Sequence, residues 1–113
     1  MRIAIPVKQG EFSLHFSNCD QFAIIDVKVS SKQILNAQYL TPSSFDLNIL
    51  LQWIRENKVD LIIAGGMPQQ VQGLLVQNHI DFQVGILYGS IKAIISAFLD
   101  SQESEGTTEV IRP

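Results

Sequence analysis

The chain has 113 residues, of which 46% are hydrophobic and 17% are charged, and its formal net charge is −3 at pH 7. This length fits a single domain and excludes a second hydrophobic core. The negative charge, without any basic cluster, argues against nucleic acid or an anionic membrane surface as a partner.

Cysteine use and hydropathy bear on the cellular compartment. The single cysteine, Cys19, cannot form an internal disulfide, which is typical of the reducing cytosol. The N-terminus lacks the long apolar stretch and small cleavage residues of a signal peptide. No apolar run approaches the roughly 20 residues of a membrane span. We therefore expect a soluble, cytoplasmic protein.

Three strands are predicted in the first forty residues. Apolar residues predict the first over residues 3–7, and residues 8–11 follow as a polar turn or loop. A β-branched run predicts the second over residues 22–29, and residues 33–40 predict its hairpin partner. Short links between the three favour an antiparallel meander.

The remaining sequence alternates helices and strands. Thr41-Pro42 can start a helix, and an apolar stripe from Leu47 to Ile54 continues it as far as an asparagine C-cap at Asn57. A near-continuous apolar run predicts a strand buried on both faces. The later elements are that strand at 59–64, a helix from Pro68, a strand at 80–86 and a helix opened by Gly89-Ser90.

This order, β-β-β-α-β-α-β-α, predicts one α/β domain. An antiparallel half joins a right-handed parallel half in a mixed sheet of about five strands, flanked by helices. We expect the domain to span residues 1–100, and residues 101–113 to form a polar, disordered tail.

The stretch from His15 to Phe22 is the first functional candidate. His15 and Cys19 offer one imidazole and one thiolate, the usual ligands of zinc, copper and iron–sulfur species. Two ligands cannot close a structural zinc site. They suit an exposed transient site, a site shared across a dimer, or a cluster that keeps its own ligands. Alternatively, His15 caps a turn and Cys19 is a small buried hydrophobe.

A second candidate closes the buried strand and opens the next helix. Gly65, Gly66 and Met67 precede Pro68 in this turn. Such a turn exposes backbone N–H groups at a helix N-terminus, where an anion or ligand can bind. The turn is neither a P-loop nor a GxGxxG fingerprint. The alternative is a tight connection that needs glycine for steric reasons.

Three segments together resemble a known family. Residues 2–7, 15–26 and 62–67 are similar to the dinitrogenase iron–molybdenum cofactor biosynthesis family, and the resemblance covers residues 2–100. It implies a ribonuclease H-like α/β fold without the nuclease acids. It further implies a small, non-enzymatic carrier or accessory protein that binds an iron–sulfur cluster, an iron–molybdenum cofactor or its precursor. Many members occur where no nitrogenase is made.

The resemblance also assigns the site. It implies His15 and Cys19 as metal ligands and Gly65, Gly66 and Met67 as lining of the same cleft. Three features depart from the family pattern: Ser17 and Pro68 replace glycines, and residues 42–46 lack the histidine often found there. A protein partner in cofactor assembly is expected, and the protein is a monomer or a homodimer.

Two other functions stay open from the sequence. One is a metal-free module that binds a protein or a small ligand through an exposed loop around Phe12, Leu14 and Phe16. The other is a small thiol-dependent enzyme with Cys19 as nucleophile and His15 as base.

Overall fold

The computed structural model describes residues 1–102, which form one mixed β-sheet with helices on both faces. The strands are β1 (Arg2–Lys8), β2 (Glu11–Phe12), β3 (Gln21–Lys28), β4 (Gln33–Leu40), β5 (Leu61–Ile63) and β6 (Asp81–Gln83). The helices are α1 (Leu47–Glu56), α2 (Gln69–Gln77) and α3 (Ile91–Ser101), with 3-10 turns at Phe16–Asn18 and Val29–Ser31. The predicted tail lies outside the described residues from residue 103 onward.

The central strand is β1, in the sheet order β4-β3-β1-β5-β6. It runs antiparallel to β3 and parallel to β5, and β5 runs parallel to β6. The predicted α/β domain, with an antiparallel half joined to a parallel half, is thereby confirmed. The sheet has six strands rather than about five because the two-residue β2 also pairs with β1.

The expectation that a second core would not fit is corrected: the single domain has two apolar clusters, one on each face of the sheet, because successive strand residues point to opposite sides. On one face Ala4, Ile24 and Ile62 pack with residues of α1 and α2. On the other face Ile5 and Ile63 pack with residues of α3. The functional candidates lie at the edge where β1 and β5 end, since parallel neighbours end at the same side.

Helix boundaries follow local capping chemistry. The α1 start predicted at Thr41-Pro42 is wrong: the helix begins at Leu47, and the Asp46 side chain accepts a hydrogen bond from Asn48 N at 3.2 Å. Asn57 is the C-cap of α1, as the sequence predicted. A side chain that caps a helix N-terminus must lie directly before the first helical residue, and Thr41 lies six residues before Leu47.

Two strand predictions are corrected. The strand predicted at 80–86 is only three residues long, because the chain turns at Gly85, whose φ is +98°. The polar turn or loop predicted at residues 8–11 is a two-residue turn at Gln9 and Gly10, both with positive φ, and it leads into the short strand β2, which was not predicted. Such a connection needs residues that adopt the left-handed region, and glycine does so readily.

Within residues 1–102, every helix is too short or too polar to cross a membrane.

Candidate functional site

Two segments that are distant in sequence run side by side at the end of the sheet where β1 and β5 stop. Gly66 N donates to the Leu14 carbonyl at 2.8 Å, and Phe16 N donates to the Gly66 carbonyl at 3.0 Å. These two bonds form a parallel bridge between His15 and Gly66. The predicted proximity of the two candidate segments is therefore confirmed, and it follows from the adjacency of β1 and β5.

The glycine pair is held from its other side by the loop after β6. Gly85 N donates to the Gly65 carbonyl at 2.8 Å. A Cβ on Gly65 would lie 2.6 Å from the Ile86 carbonyl oxygen and closer still to the Leu14 carbonyl. Three chain segments meet at Gly65 and leave no room for a side chain. This agrees with the alternative prediction of a tight connection that needs glycine for steric reasons.

The His15 imidazole lies over Gly66. Its Nδ1 would be 3.3 Å from a Cβ added to that glycine. The residue is exposed, and it occupies the N-cap position of the 3-10 turn without forming a side-chain capping bond. The imidazole is therefore presented at the surface, and turn capping does not explain it.

The Cys19 thiol is placed differently. It is half-buried against the core that faces α1 and α2, and Sγ donates to the Phe16 carbonyl at 3.3 Å. Burial, reinforced by the nearby Asp20 carboxylate, raises the pKa of Cys19 from 9.0 to about 11. A nucleophilic or metal-binding cysteine usually has a lowered pKa. These features match the alternative of a small buried hydrophobe.

Met67 completes the predicted set. Its side chain is 9% exposed and belongs to the core beneath α1 and α2. The structure thus brings together His15, Gly65 and Gly66, with Cys19 one short turn away and the Met67 side chain directed inward. Among residues 1–102, no three His, Cys, Asp or Glu side chains converge on a metal position. The ligand roles of His15 and Cys19 stay predictions.

A cleft of about 660 Å³ lies nearby, but none of the five predicted site residues is among those that line it. It lies between the β2 hairpin and the segment before α3, and Leu14 is part of its wall. Leu87 and Tyr88, which are 72% and 84% exposed, also line it. Leu87 and Tyr88 were not among the predicted site residues, although an apolar Leu-Tyr pair followed by glycine, between a strand and a helix, was a usable signal.

The predicted exposed loop needs one correction. Leu14 is exposed and Phe12 is partly exposed, but Phe16 is buried. The Phe16 ring packs against Phe22, with ring centroids 5.7 Å apart. Only the first two of the three predicted apolar residues are available at the surface.

The comparison with protein families decides the classification. The model of the family described as "Dinitrogenase iron-molybdenum cofactor" matches residues 1–101. The chain belongs to this family. The comparison with curated proteins gave no match.

Solved structures share the fold of this family member. PH0822 has 22% sequence identity and a TM-score of 0.79, covering 89% of this chain and 90% of that one. The mj0327 protein of Methanocaldococcus jannaschii has 19% identity and a TM-score of 0.68, covering 92% of each chain. The apo form of the orange protein of Desulfovibrio gigas has 17% identity and a TM-score of 0.71, covering 89% and 88%.

The departures from the family pattern have structural roles here. In residues 42–46, which lack the histidine often found in the family, Ser44 Oγ accepts a hydrogen bond from Asp46 N at 3.0 Å, and Asp46 caps α1. Pro68 lies at the N-cap of α2, where a missing N–H costs little. These residues organise helix starts and add no metal ligand.

Proposed function

We propose that this protein is a non-enzymatic carrier or accessory protein for an iron–sulfur cluster, an iron–molybdenum cofactor or its precursor. Family membership supports a cofactor-related role. The observation that carries the proposal is the exposed His15 imidazole over Gly66. This arrangement offers one exposed nitrogen donor, and the preceding residue, Leu14, lines a partly apolar cleft.

The cargo is a preassembled cluster that keeps most of its own ligands. The residues 1–102 present no set of three ligating side chains, so they cannot build a closed site around a bare ion. Cys19 would have to break its hydrogen bond to Phe16 and lose its proton before it could bind. One imidazole and a nearby cleft suffice to hold a cluster reversibly, which suits delivery to another protein.

The test is anaerobic binding of a preformed [4Fe–4S] cluster carrying small thiolate ligands, followed by absorption spectroscopy and iron analysis. Loss of a ligand should weaken binding at least about tenfold, so we expect His15→Asn to reduce bound iron strongly. His79→Asn is the matched control: it removes the other histidine, and asparagine tolerates the positive φ found there. Equal binding by wild type and His15→Asn would refute the role of His15.

The cleft favours a second candidate function, a metal-free module that binds a small ligand or a protein. Leu87 and Tyr88 are its most exposed apolar side chains. If the protein is such a module, its partner should protect residues 87 and 88 from hydrogen exchange, and a Leu87→Ser/Tyr88→Ser double variant should lose that protection. Neither this variant nor His15→Asn should then change cluster binding. Cluster binding lost on His15→Asn alone would favour the carrier.

A further inference from the structure

The two edges of the sheet are built very differently. The edge at β6 is only three residues long and begins with the charged Asp81. The edge at β4 has eight residues, from Gln33 to Leu40, and within residues 1–102 all of them except Leu40 are exposed. Short and charged edge strands resist pairing with other chains, whereas long uncharged ones invite it. In the part of the chain that the structure describes, the β6 edge has both protective features and the β4 edge has neither.

The composition of β4 makes it a pairing surface. Its sequence, QILNAQYL, contains no charged residue and no proline. Ile34, Leu35 and Tyr39 are 43%, 62% and 45% exposed. The nearest lysine, Lys32, precedes the strand, and its Nζ lies 3.7 Å from Asp100 Oδ1 at the end of α3. The β4 strand therefore carries no charge that would oppose pairing with another strand.

One irregularity locates the pairing segment. The β3–β4 register shifts between Asp26 and Val27, which leaves Leu35 as the extra residue of a bulge. A bulge disrupts the ladder locally and bends the strand. From Asn36 to Leu40 the register with β3 is regular, so these five residues offer an uninterrupted edge.

We propose that β4 is a homotypic interface, in which residues 36–40 pair antiparallel with the same residues of a second copy. A two-fold axis requires a self-complementary surface. Since β4 has no charge, its pairing with itself brings no like charges together, although the whole chain carries a net charge of −3. An acidic or basic partner segment would find no complementary charge on β4 itself. The pair would extend the sheet across both copies.

The proposed interface borders the cleft. Tyr39 belongs to β4 and also lines the cleft, where its hydroxyl donates to the Gly10 carbonyl at 3.5 Å. In the dimer, the second copy therefore stands at the rim of the cleft that Leu14 and Tyr39 line. This inference is independent of the cargo, because it rests on the sheet edge alone.

The test is sedimentation equilibrium of the full-length protein over a wide concentration range. We expect a reversible dimer in the wild type. Ala37→Lys places two lysines near the two-fold axis and should raise the dimer dissociation constant by roughly tenfold or more. Val76→Lys is the matched control, since it adds the same charge at an exposed position of α2, and it should leave the constant unchanged.

Two further measurements keep the proposal falsifiable. Thermal unfolding confirms that Ala37→Lys still folds, and hydrogen exchange should show protection of residues 36–40 that rises with protein concentration. A wild type that stays monomeric at millimolar concentration overturns the proposal, whatever other protein or segment pairs with β4. A dimer that both lysine variants weaken equally also overturns it, because the interface then lies elsewhere.

Discussion

At the scale of single residues, the Cys19 thiol is held as a hydrogen-bond donor to the Phe16 carbonyl rather than as an open ligand. Its pKa is raised from 9.0 to about 11, which lowers the thiolate fraction near neutral pH by roughly 100-fold. We therefore expect iodoacetamide to alkylate the native chain about 100-fold more slowly than the urea-unfolded chain. Mass spectrometry of quenched samples measures both rates.

The causes of this pKa shift can be separated. Burial is the larger cause and the Asp20 charge the smaller one. Asp20→Asn should therefore speed native alkylation, yet leave it slower than alkylation of the unfolded chain. A native alkylation rate equal to the unfolded rate would show that the thiolate is available at neutral pH. That result would support metal ligation or nucleophilic catalysis by Cys19.

The sequence could place His15 and Cys19 in one short stretch, but it could not assign them different environments. That difference arises from the 3-10 turn at Phe16–Asn18, which buries Phe16 and turns Cys19 toward the core. A three-residue turn has no periodicity to read, since a helical or strand pattern needs several repeats. The exposed His15 and the half-buried Cys19 are consequences of the tertiary fold.

At the scale of elements, Gly65 joins three segments by close backbone approach. A Cβ there would clash with the carbonyl oxygens of Leu14 and Ile86, which belong to separate loops. We expect Gly65→Ala to lower the free energy of unfolding by about 2–3 kcal/mol, as overpacking against backbone does. It should also weaken cluster binding, because the loop that carries His15 must move. Urea unfolding measures the first effect.

Gly73 provides the matched control. It lies within α2, and a Cβ added there meets no atom within 4 Å. Gly73→Ala should therefore raise the free energy of unfolding by about 0.5–1 kcal/mol, since alanine favours a helix interior over glycine. If the two alanine variants had equal stabilities, the close approach at Gly65 would not constrain the fold.

Element prediction succeeded where the signal was local. Residues 33–40 and the caps Asn57 and Ser90 agree with the structure, because strand patterning and capping depend on neighbouring residues. The strand at 80–86 was overextended because an apolar run does not show where a glycine turns the chain.

At the scale of the whole molecule, the meeting of residues 14–16 with Gly65-Gly66 was predictable from topology. Buried apolar runs identify β1 and β5, and parallel neighbours end at the same edge. The cleft beside them was not predictable, because its shape depends on how the β2 hairpin and the loop after β6 face each other. Sequence patterns give strand order more readily than loop separation.

At the opposite end of the sheet, where β1 begins, Arg2 connects β1 to its neighbours. Its Nε and Nη2 donate to the two Asp26 carboxylate oxygens at 2.8 Å and 3.1 Å, and its Nη1 donates to the Asn57 carbonyl at 2.8 Å. Arg2 and Asp26 are direct partners in the β1–β3 register. The side chain thus ties β1 to β3 and to the end of α1, and a bidentate pair is the stronger geometry for such a contact.

This pair gives stability a defined pH dependence. The hydrogen bond from Arg2 lowers the pKa of Asp26 in the folded state, so ionisation of this carboxyl favours folding. The contribution is fully present above the ordinary carboxyl pKa of about 3.9 and is lost as the pH falls through the lower folded pKa.

We expect Asp26→Asn to lower the free energy of unfolding by about 1 kcal/mol at neutral pH, because the pair is partly exposed to solvent. Urea unfolding should show this deficit shrinking in acid, whereas Asp81→Asn, at an exposed acid of β6, should show little deficit at any pH. A deficit for Asp26→Asn that is equally large in acid would assign the effect to packing rather than to charge.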